Sequence, residues 1–153
     1  MNANTTSPYA ALILRLSLGS MFLAHAGLKY VVFTLAGAAG FFGSLGLPPA
    51  LAYATFFLEL IVGVALVAGI QTRLAALVGI PILAGTIVFV HGASGWVFSN
   101  PGGGWEYPAF LIAASLVQAL IGDGAFALSR VLSGKRRQDT LWSQAVPVPE
   151  PSK

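Results

Sequence analysis

The sequence predicts an all-α protein, an integral membrane four-helix bundle with both termini in the cytoplasm. Three observations lead to this prediction: an apolar composition, four long apolar segments, and the distribution of the basic residues. Of the 153 residues, 56% are hydrophobic and 8% are charged. Soluble domains carry about 25% charged residues, so the composition places the chain in a lipid bilayer.

Four apolar segments approach the ~20 residues that a helix needs to cross a bilayer. They cover residues 9–33, 50–70, 73–92 and 107–128. Helices are expected because a spanning segment must satisfy its own backbone polar groups. Residues 9–130 therefore form one four-span domain, followed by a flexible cytoplasmic tail, 131–153, that contains basic residues and prolines.

The individual elements follow in order along the chain. Small residues around His25 resemble a signal-peptidase site, but Arg15 interrupts the apolar run, so we expect span one to be retained. The Gly-rich passage from Leu35 to Leu47 is predicted to be an interfacial or re-entrant turn. Pro81 should kink span three, and Pro108 suits the first turn of span four. Close helix approach is predicted at four small positions: Gly63, Gly69, Gly79 and Gly85.

The basic residues define a predicted topology. Arg73 lies in the second connection, five more basic residues lie from Arg130 onward, and the first and third connections have none. Because basic residues are enriched on the cytoplasmic side, both termini should be cytoplasmic. The same placement favours membrane orientation over nucleic-acid binding. The chain has no cysteine, which excludes thiol redox chemistry by this chain alone.

Ionisable side chains within the apolar segments need a separate explanation, because charge is unfavourable inside a bilayer. Five of them lie inside or at the ends of the spans: His25, Lys29, Glu59, His91 and Glu106. From a rise of ~1.5 Å per residue, His25 lies about 12 Å and Glu59 about 13 Å below the outer ends of their spans. We therefore expect one outer cluster with His25 and Glu59 level at its base.

Helix phase adds detail to span one. Arg15, Phe22, His25 and Lys29 fall within an arc of about 80° and should face the bundle interior. Arg15 on span one and Asp123 on span four both occupy the inner half. We predict that these two residues form a structural ion pair.

Two interpretations of the outer cluster remain open. In the first interpretation, the cluster is a network of ion pairs and hydrogen bonds that fixes the register of the helices. Alternatively, it is a polar pocket open to the outer interface, in which the catalytic residues Glu59 and His25 exchange protons with a bound small molecule such as a quinone. A quinone site would also need ligand-binding residues, and the candidates are Lys29, His91, Glu106, Phe22 and Phe56.

Metal sites are disfavoured on spacing. His25 and His91 differ in predicted depth, which argues against a haem held between them. No HxxxH or ExxH motif concentrates ligands for a divalent ion on one helix. We therefore predict no metal site and no covalently attached cofactor.

Several short motifs resemble those of the DoxX family of small bacterial membrane proteins. The resemblance runs from about Leu12 to Arg130 and covers most of the chain. It is carried by Arg15-Leu16-x-Leu18-Gly19, Phe22-Leu23-x-His25, Lys29, Leu45-Gly46-Leu47-Pro48, Glu59 with Gly63, Thr72-Arg73, His91-Gly92 and Glu106-Tyr107-Pro108.

The resemblance implies a multi-pass protein of the bacterial inner membrane, with some family members connected to redox complexes, sulfur metabolism or oxidative-stress resistance. Our preferred hypothesis is a quinone-linked redox subunit or accessory of a membrane oxidoreductase or oxidative-stress complex, for which electron transfer would require a diffusible quinone or a redox partner protein. Whether the chain is an enzyme stays open. Two alternatives stay open: a non-enzymatic scaffold or partner-binding subunit, and a small-molecule or proton carrier. No oligomeric state is predicted.

Overall fold

A computed structural model of the protein describes residues 3–130, and all regular structure within this range is helical. The predicted tail, 131–153, lies outside the described residues. The α-helices are α1 (Ala3–Gly27), α2 (Leu35–Ser44), α3 (Ala50–Ala68), α4 (Thr72–Thr86) and α5 (Glu106–Ile121).

Two of the helices continue beyond their α-helical part. A π turn, Leu28–Val32, extends α1, and a second π turn, Ile87–His91, extends α4 into a short 3-10 turn. With these extensions, three helices are long and apolar enough to cross a membrane: Thr6–Val32, Ala50–Ala68 and Thr72–Ser94. The prediction of an all-helical membrane protein is thereby confirmed in its general form.

The fourth predicted span differs from the structure at its end. The prediction extends to residue 128, whereas α5 has 16 residues and ends at Ile121, short of the ~20 residues of a typical span. The chain turns at Gly122 and Gly124, whose φ angles are +82° and +71°. Apolar residues resume after Asp123, from Ala125 to Leu128, which is why hydropathy alone placed the helix end too late.

The Gly-rich passage between the first two predicted spans is also helical. Helix α2 begins after Thr34, whose hydroxyl oxygen accepts a hydrogen bond from the Gly37 N–H at 3.1 Å. Its buried residues Ala38 and Ala39 pack against Ala52 of α3. The expected turn is thus a short apolar helix against the start of α3.

The four longer helices contact one another in a ring. Helix α1 packs against α3 and α5, and α4 packs against the same two helices. One apolar core lies between them, and its largest buried members are Leu18, Phe22, Val62, Leu66, Leu83 and Leu111. We call the two ends of this ring the Arg15 end and the Lys29 end.

Glycines allow the closest helix contacts. A Cβ atom built on Gly19 of α1 would lie 3.0 Å from the Gly63 carbonyl oxygen of α3. One built on Gly79 of α4 would lie 2.5 Å from Cζ of Phe22, and one on Gly69 would lie 2.9 Å from the Arg15 guanidinium. The predicted close approach is confirmed at Gly63, Gly69 and Gly79. It is wrong at Gly85, where a Cβ would meet nothing within 4 Å.

Arg15 is almost fully buried at its end of the ring. Its Nη1 donates hydrogen bonds to the carbonyl oxygens of Leu66 at 2.9 Å and Val67 at 2.6 Å, and Nη2 donates to Ala125 at 3.0 Å. The last carbonyls of a helix have no partner within the helix. Arg15 therefore caps α3 and ties it to the turn that follows α5.

The predicted ion pair between Arg15 and Asp123 is wrong. Asp123 accepts hydrogen bonds from the hydroxyls of Thr72 and Ser129, both at 2.5 Å. Arg15 is drawn to the helix-end carbonyls instead, and its attraction to Asp123 acts only at longer range. The sequence correctly placed Arg15 and Asp123 at the same end of the molecule, but helix phase could not show that the partners of Arg15 are backbone carbonyls.

The environment of Asp123 shifts its titration. Burial acts to raise the pKa of this carboxyl, but hydrogen bonds from Ser129 and Thr72, with attraction from Arg130, bring its pKa below the usual value. A lowered pKa in the folded state means that the ionised form stabilises the fold. This stabilisation is present above the unfolded pKa of about 3.9 and is lost as pH falls through the folded pKa.

The pH dependence can be isolated with Asp123→Asn. Thermal unfolding in detergent between neutral and acidic pH should show a stability difference between wild type and variant that is constant above about pH 5 and shrinks below about pH 4. Subtracting the variant removes the contribution of the other carboxyls. A difference that grows on acidification would contradict the assigned hydrogen bonds.

The Gly79 contact gives a matched pair of variants on one helix. We expect Gly79→Ala to lower stability by about 1–3 kcal/mol, because the added methyl group overlaps the Phe22 ring. Gly85→Ala should leave stability unchanged or raise it by up to about 1 kcal/mol, since helix propensity favours alanine. Unfolding midpoints in detergent measure both, and equal losses would show that the α4–Phe22 packing is misplaced.

Candidate functional site

A buried ion pair joins α1 to α3 at the Lys29 end. Lys29 Nζ donates to both carboxylate oxygens of Glu59, at 2.6 Å and 2.7 Å. The side chains of Lys29 and Glu59 are 17% and 5% exposed. It is the only salt bridge among residues 3–130.

The local helix geometry positions this pair. Glu59 lies in the middle of α3, where one buried face also carries Val62 and Gly63. Lys29 lies in the π turn that extends α1, where the Phe33 N–H bonds the Leu28 carbonyl at 3.0 Å. Such one-turn π segments occur often at functional sites.

His25 stands one turn before Lys29 on α1. Its Nδ1 lies 2.9 Å from the carbonyl oxygen of Met21, and it is close enough to interact electrostatically with the Glu59 carboxylate. When Nδ1–H donates to that carbonyl, Nε2 of the neutral ring is left as an acceptor. We call His25, Lys29 and Glu59 the polar trio.

The other two predicted members of the outer cluster bind a loop instead. Nδ1 of His91 lies 2.9 Å from the Gly103 carbonyl oxygen and 3.2 Å from that of Gly102. The Glu106 carboxylate accepts a hydrogen bond from the Phe98 N–H at 2.8 Å. Both residues thus hold the connection between α4 and α5, and the expectation of one five-residue cluster is wrong. Their hydrogen-bond partners are backbone groups of this loop.

The two candidate ring-binding phenylalanines have different environments. Phe22 is buried in the core, so the interpretation of Phe22 as a pocket wall is wrong. Phe56 is half-buried and stacks on Tyr30, with ring centroids 6.2 Å apart, and it also contacts Phe57 edge to face at 5.1 Å. Because Tyr30 follows Lys29 and Phe56 is one turn from Glu59, this aromatic face adjoins the polar trio. Tyr30 was missed in the sequence, although its position beside Lys29 was the available signal.

Two surface clefts lie away from the trio. One, at the Arg15 end, lies between the start of α4 and the end of α5. The other lies beside Glu106 and is lined mainly by aromatic side chains of the loop and α5: Trp96, Phe98, Tyr107 and Phe110. Neither cleft is lined by His25, Lys29 or Glu59.

The buried ion pair has a characteristic response to mutation. We expect Glu59→Gln to lower stability by about 3–5 kcal/mol, because it leaves the Lys29 ammonium buried without a counter-charge. The double variant Lys29→Met with Glu59→Gln should regain part of this loss, since it removes the unpaired charge. Thermal unfolding of the three proteins in detergent measures the difference, and a double variant less stable than Glu59→Gln alone would contradict the pairing.

Comparison with known proteins places the chain in a family. The DoxX family model matches residues 10–92, a range that includes the whole polar trio. The protein named "Putative oxidoreductase CatD" of Bacillus subtilis (strain 168) is 31% identical over 134 residues, which cover 87% of this chain and 95% of that protein. No solved structure matches the chain. Because the family model covers more than half of the sequence, the chain belongs to the DoxX family.

Proposed function

We propose that this protein is a quinone-linked subunit or accessory of an inner-membrane oxidoreductase. The observation that carries the proposal is the buried Lys29–Glu59 pair with His25 beside it and the Tyr30–Phe56 face next to it. The name of the Bacillus relative supports the oxidoreductase class. In this proposal Glu59 and His25 exchange protons with the quinone, and Lys29 binds it.

The aromatic face suits a quinone ring. Tyr30 is 64% and Phe57 is 54% exposed, so both present ring surface to the outside of the helix ring. For a quinone head group stacked there, Lys29 is the candidate donor to a carbonyl oxygen, because it is the more exposed partner of the ion pair. The isoprenoid tail then extends into the surrounding lipid.

Reduction of a quinone to a quinol consumes two electrons and two protons. The chain has no cysteine, so the electrons come from a redox partner protein. The Glu59 carboxylate and the free Nε2 of His25 each take up a proton from water at the Lys29 end and pass it to one of the two quinone oxygens. The protein is then one subunit of an oxidoreductase and not an enzyme by itself.

The proposal includes a membrane arrangement. Helix α5 completes a four-span bundle with α1, α3 and α4, supported by its contacts with α1 and α4. Both termini lie in the cytoplasm of a bacterium, because Arg73 and Arg130 share the Arg15 end and the sequence after Arg130 carries four more basic residues. The polar trio then faces the outer half of the inner membrane.

One observation favours a second candidate, a scaffold or partner-binding subunit. Both oxygens of Glu59 are bound by Lys29, and neither cleft opens on the trio. In that case the ion pair only holds α1 against α3. Quinone binding separates the two candidates.

The test uses the full-length protein in lipid nanodiscs and a short-chain ubiquinone or menaquinone analogue. Binding is followed by quenching of tryptophan and tyrosine fluorescence. We expect Phe56→Leu to weaken binding about two- to tenfold, because it removes one aromatic stacking partner. The matched control, Phe110→Leu, changes an exposed ring at the other cleft and should bind like wild type.

Two results would contradict the quinone site. Absence of saturable quenching by either analogue would favour the scaffold. Equal weakening by Phe56→Leu and Phe110→Leu would show that the quinone only partitions into lipid or binds elsewhere.

A further inference from the structure

The cleft at the Arg15 end is lined by residues that play no part in the proposed quinone site. It has a volume of about 460 Å³ and lies between the start of α4 and the turn after α5. Its lining residues are Gln71, Arg73, Leu74, Ile121, Asp123 and Arg130. Two cationic side chains thus share one cleft with two apolar ones.

Arg73 reaches across the cleft from α4 to the end of α5. A Cβ atom built on Gly122 would lie 2.9 Å from Nε and 3.2 Å from Nη2 of Arg73. Gly122 also has a φ of +82°, a conformation that side-chain-bearing residues rarely adopt. Because Gly122 has no side chain, the Arg73 guanidinium can lie against its backbone.

The side chains of the two arginines have no hydrogen-bond acceptor among the described residues. Within residues 3–130, no carboxylate lies within salt-bridge distance of Arg73 or Arg130. Asp123 lines the same cleft, but its two oxygens accept hydrogen bonds from Thr72 and Ser129. Among the described lining residues, two arginines and one aspartate give a net positive charge. Planar guanidinium groups of this kind pair well with phosphate oxygens.

The surroundings of the cleft are those of a membrane interface. Leu74 and Ile121 are exposed apolar residues in its wall. Tyr9 and Phe126 at the same end form an exposed edge-to-face pair with centroids 6.3 Å apart, and aromatic residues concentrate at the level of lipid head groups. Cationic residues beside exposed apolar residues match the phosphate and the acyl chain of a phospholipid. A free inorganic anion would contact only the cationic residues.

We propose that this cleft binds an anionic phospholipid of the phosphatidylglycerol class. Arg73 and Arg130 donate hydrogen bonds to the phosphate oxygens, and Leu74 and Ile121 contact the first part of an acyl chain. The sequence that follows Arg130 adds Lys135, Arg136 and Arg137, which attract an anionic surface in general. The site is independent of the proposed quinone chemistry at the opposite end.

Native mass spectrometry of the full-length protein in detergent tests the site, with phosphatidylglycerol and phosphatidylcholine titrated separately. We expect one phosphatidylglycerol to bind more tightly than phosphatidylcholine with the same acyl chains. Arg73→Gln and Arg130→Gln should each weaken it about fivefold, the effect of one basic residue near an anionic surface. Arg73→Lys keeps the charge and should retain part of the affinity.

Arg136→Gln is the matched control, because it removes the same charge from the basic run that follows Arg130 in the sequence, and Arg136 is not one of the proposed phosphate ligands. It should bind phosphatidylglycerol like wild type. Equal weakening by Arg73→Gln and Arg136→Gln, or equal affinity for the two lipids, would overturn the site. Displacement of phosphatidylglycerol by inorganic phosphate alone would also overturn it, in favour of a free-anion site. Unfolding midpoints measured without anionic lipid should be the same for Arg73→Gln and wild type, since Arg73 is exposed.

Discussion

The contact between α1 and α3 is the constraint on which the rest of the structure depends. Between Gly19 and Gly63 the two backbones approach too closely for a Cβ atom. Charged groups of α1 bind α3 on both sides of this contact: Lys29 binds the Glu59 carboxylate, and Arg15 binds the last carbonyls of the helix. Charge buried in an apolar environment has to be matched by a partner. These two contacts therefore fix both the register and the rotation of α1 on α3.

The contact between α1 and α3 also positions other residues at both ends of the molecule. At the Arg15 end, the guanidinium also binds the Ala125 carbonyl, and Asp123 joins the start of α4 through Thr72. The turn after α5 is thereby attached to α1 and α4, and through Arg15 also to α3. At the Lys29 end, the fixed rotation of α1 brings His25 and Tyr30 beside Glu59 and Phe56. The same contact that stabilises the helix pair assembles the candidate site, so a structural and a functional role for the ion pair are compatible.

Some parts of this arrangement were predictable from sequence, and others were not. The burial cost of charge identified Arg15, Lys29 and Glu59 correctly as interior residues, because a bilayer tolerates few alternatives. It could not identify partners that are backbone atoms, which is why Arg15 was paired with Asp123. His91 and Glu106 were misassigned for the same reason, since the loop carbonyl and amide groups that they bind have no sequence signature. The end of α5 before Gly122 was missed because apolar residues resume two positions after Asp123.

The contact between α1 and α3 requires that Lys29 and Glu59 are both charged. Infrared spectroscopy of the wild-type protein and Glu59→Gln in lipid at neutral pH reports the charge state of Glu59 directly, because a protonated carboxyl and a carboxylate absorb at different frequencies. The wild-type minus variant spectrum should contain carboxylate bands assignable to Glu59 and no protonated-carboxyl band. A protonated-carboxyl band that disappears in Glu59→Gln would show that Lys29 and Glu59 are not an ion pair, and would contradict the account.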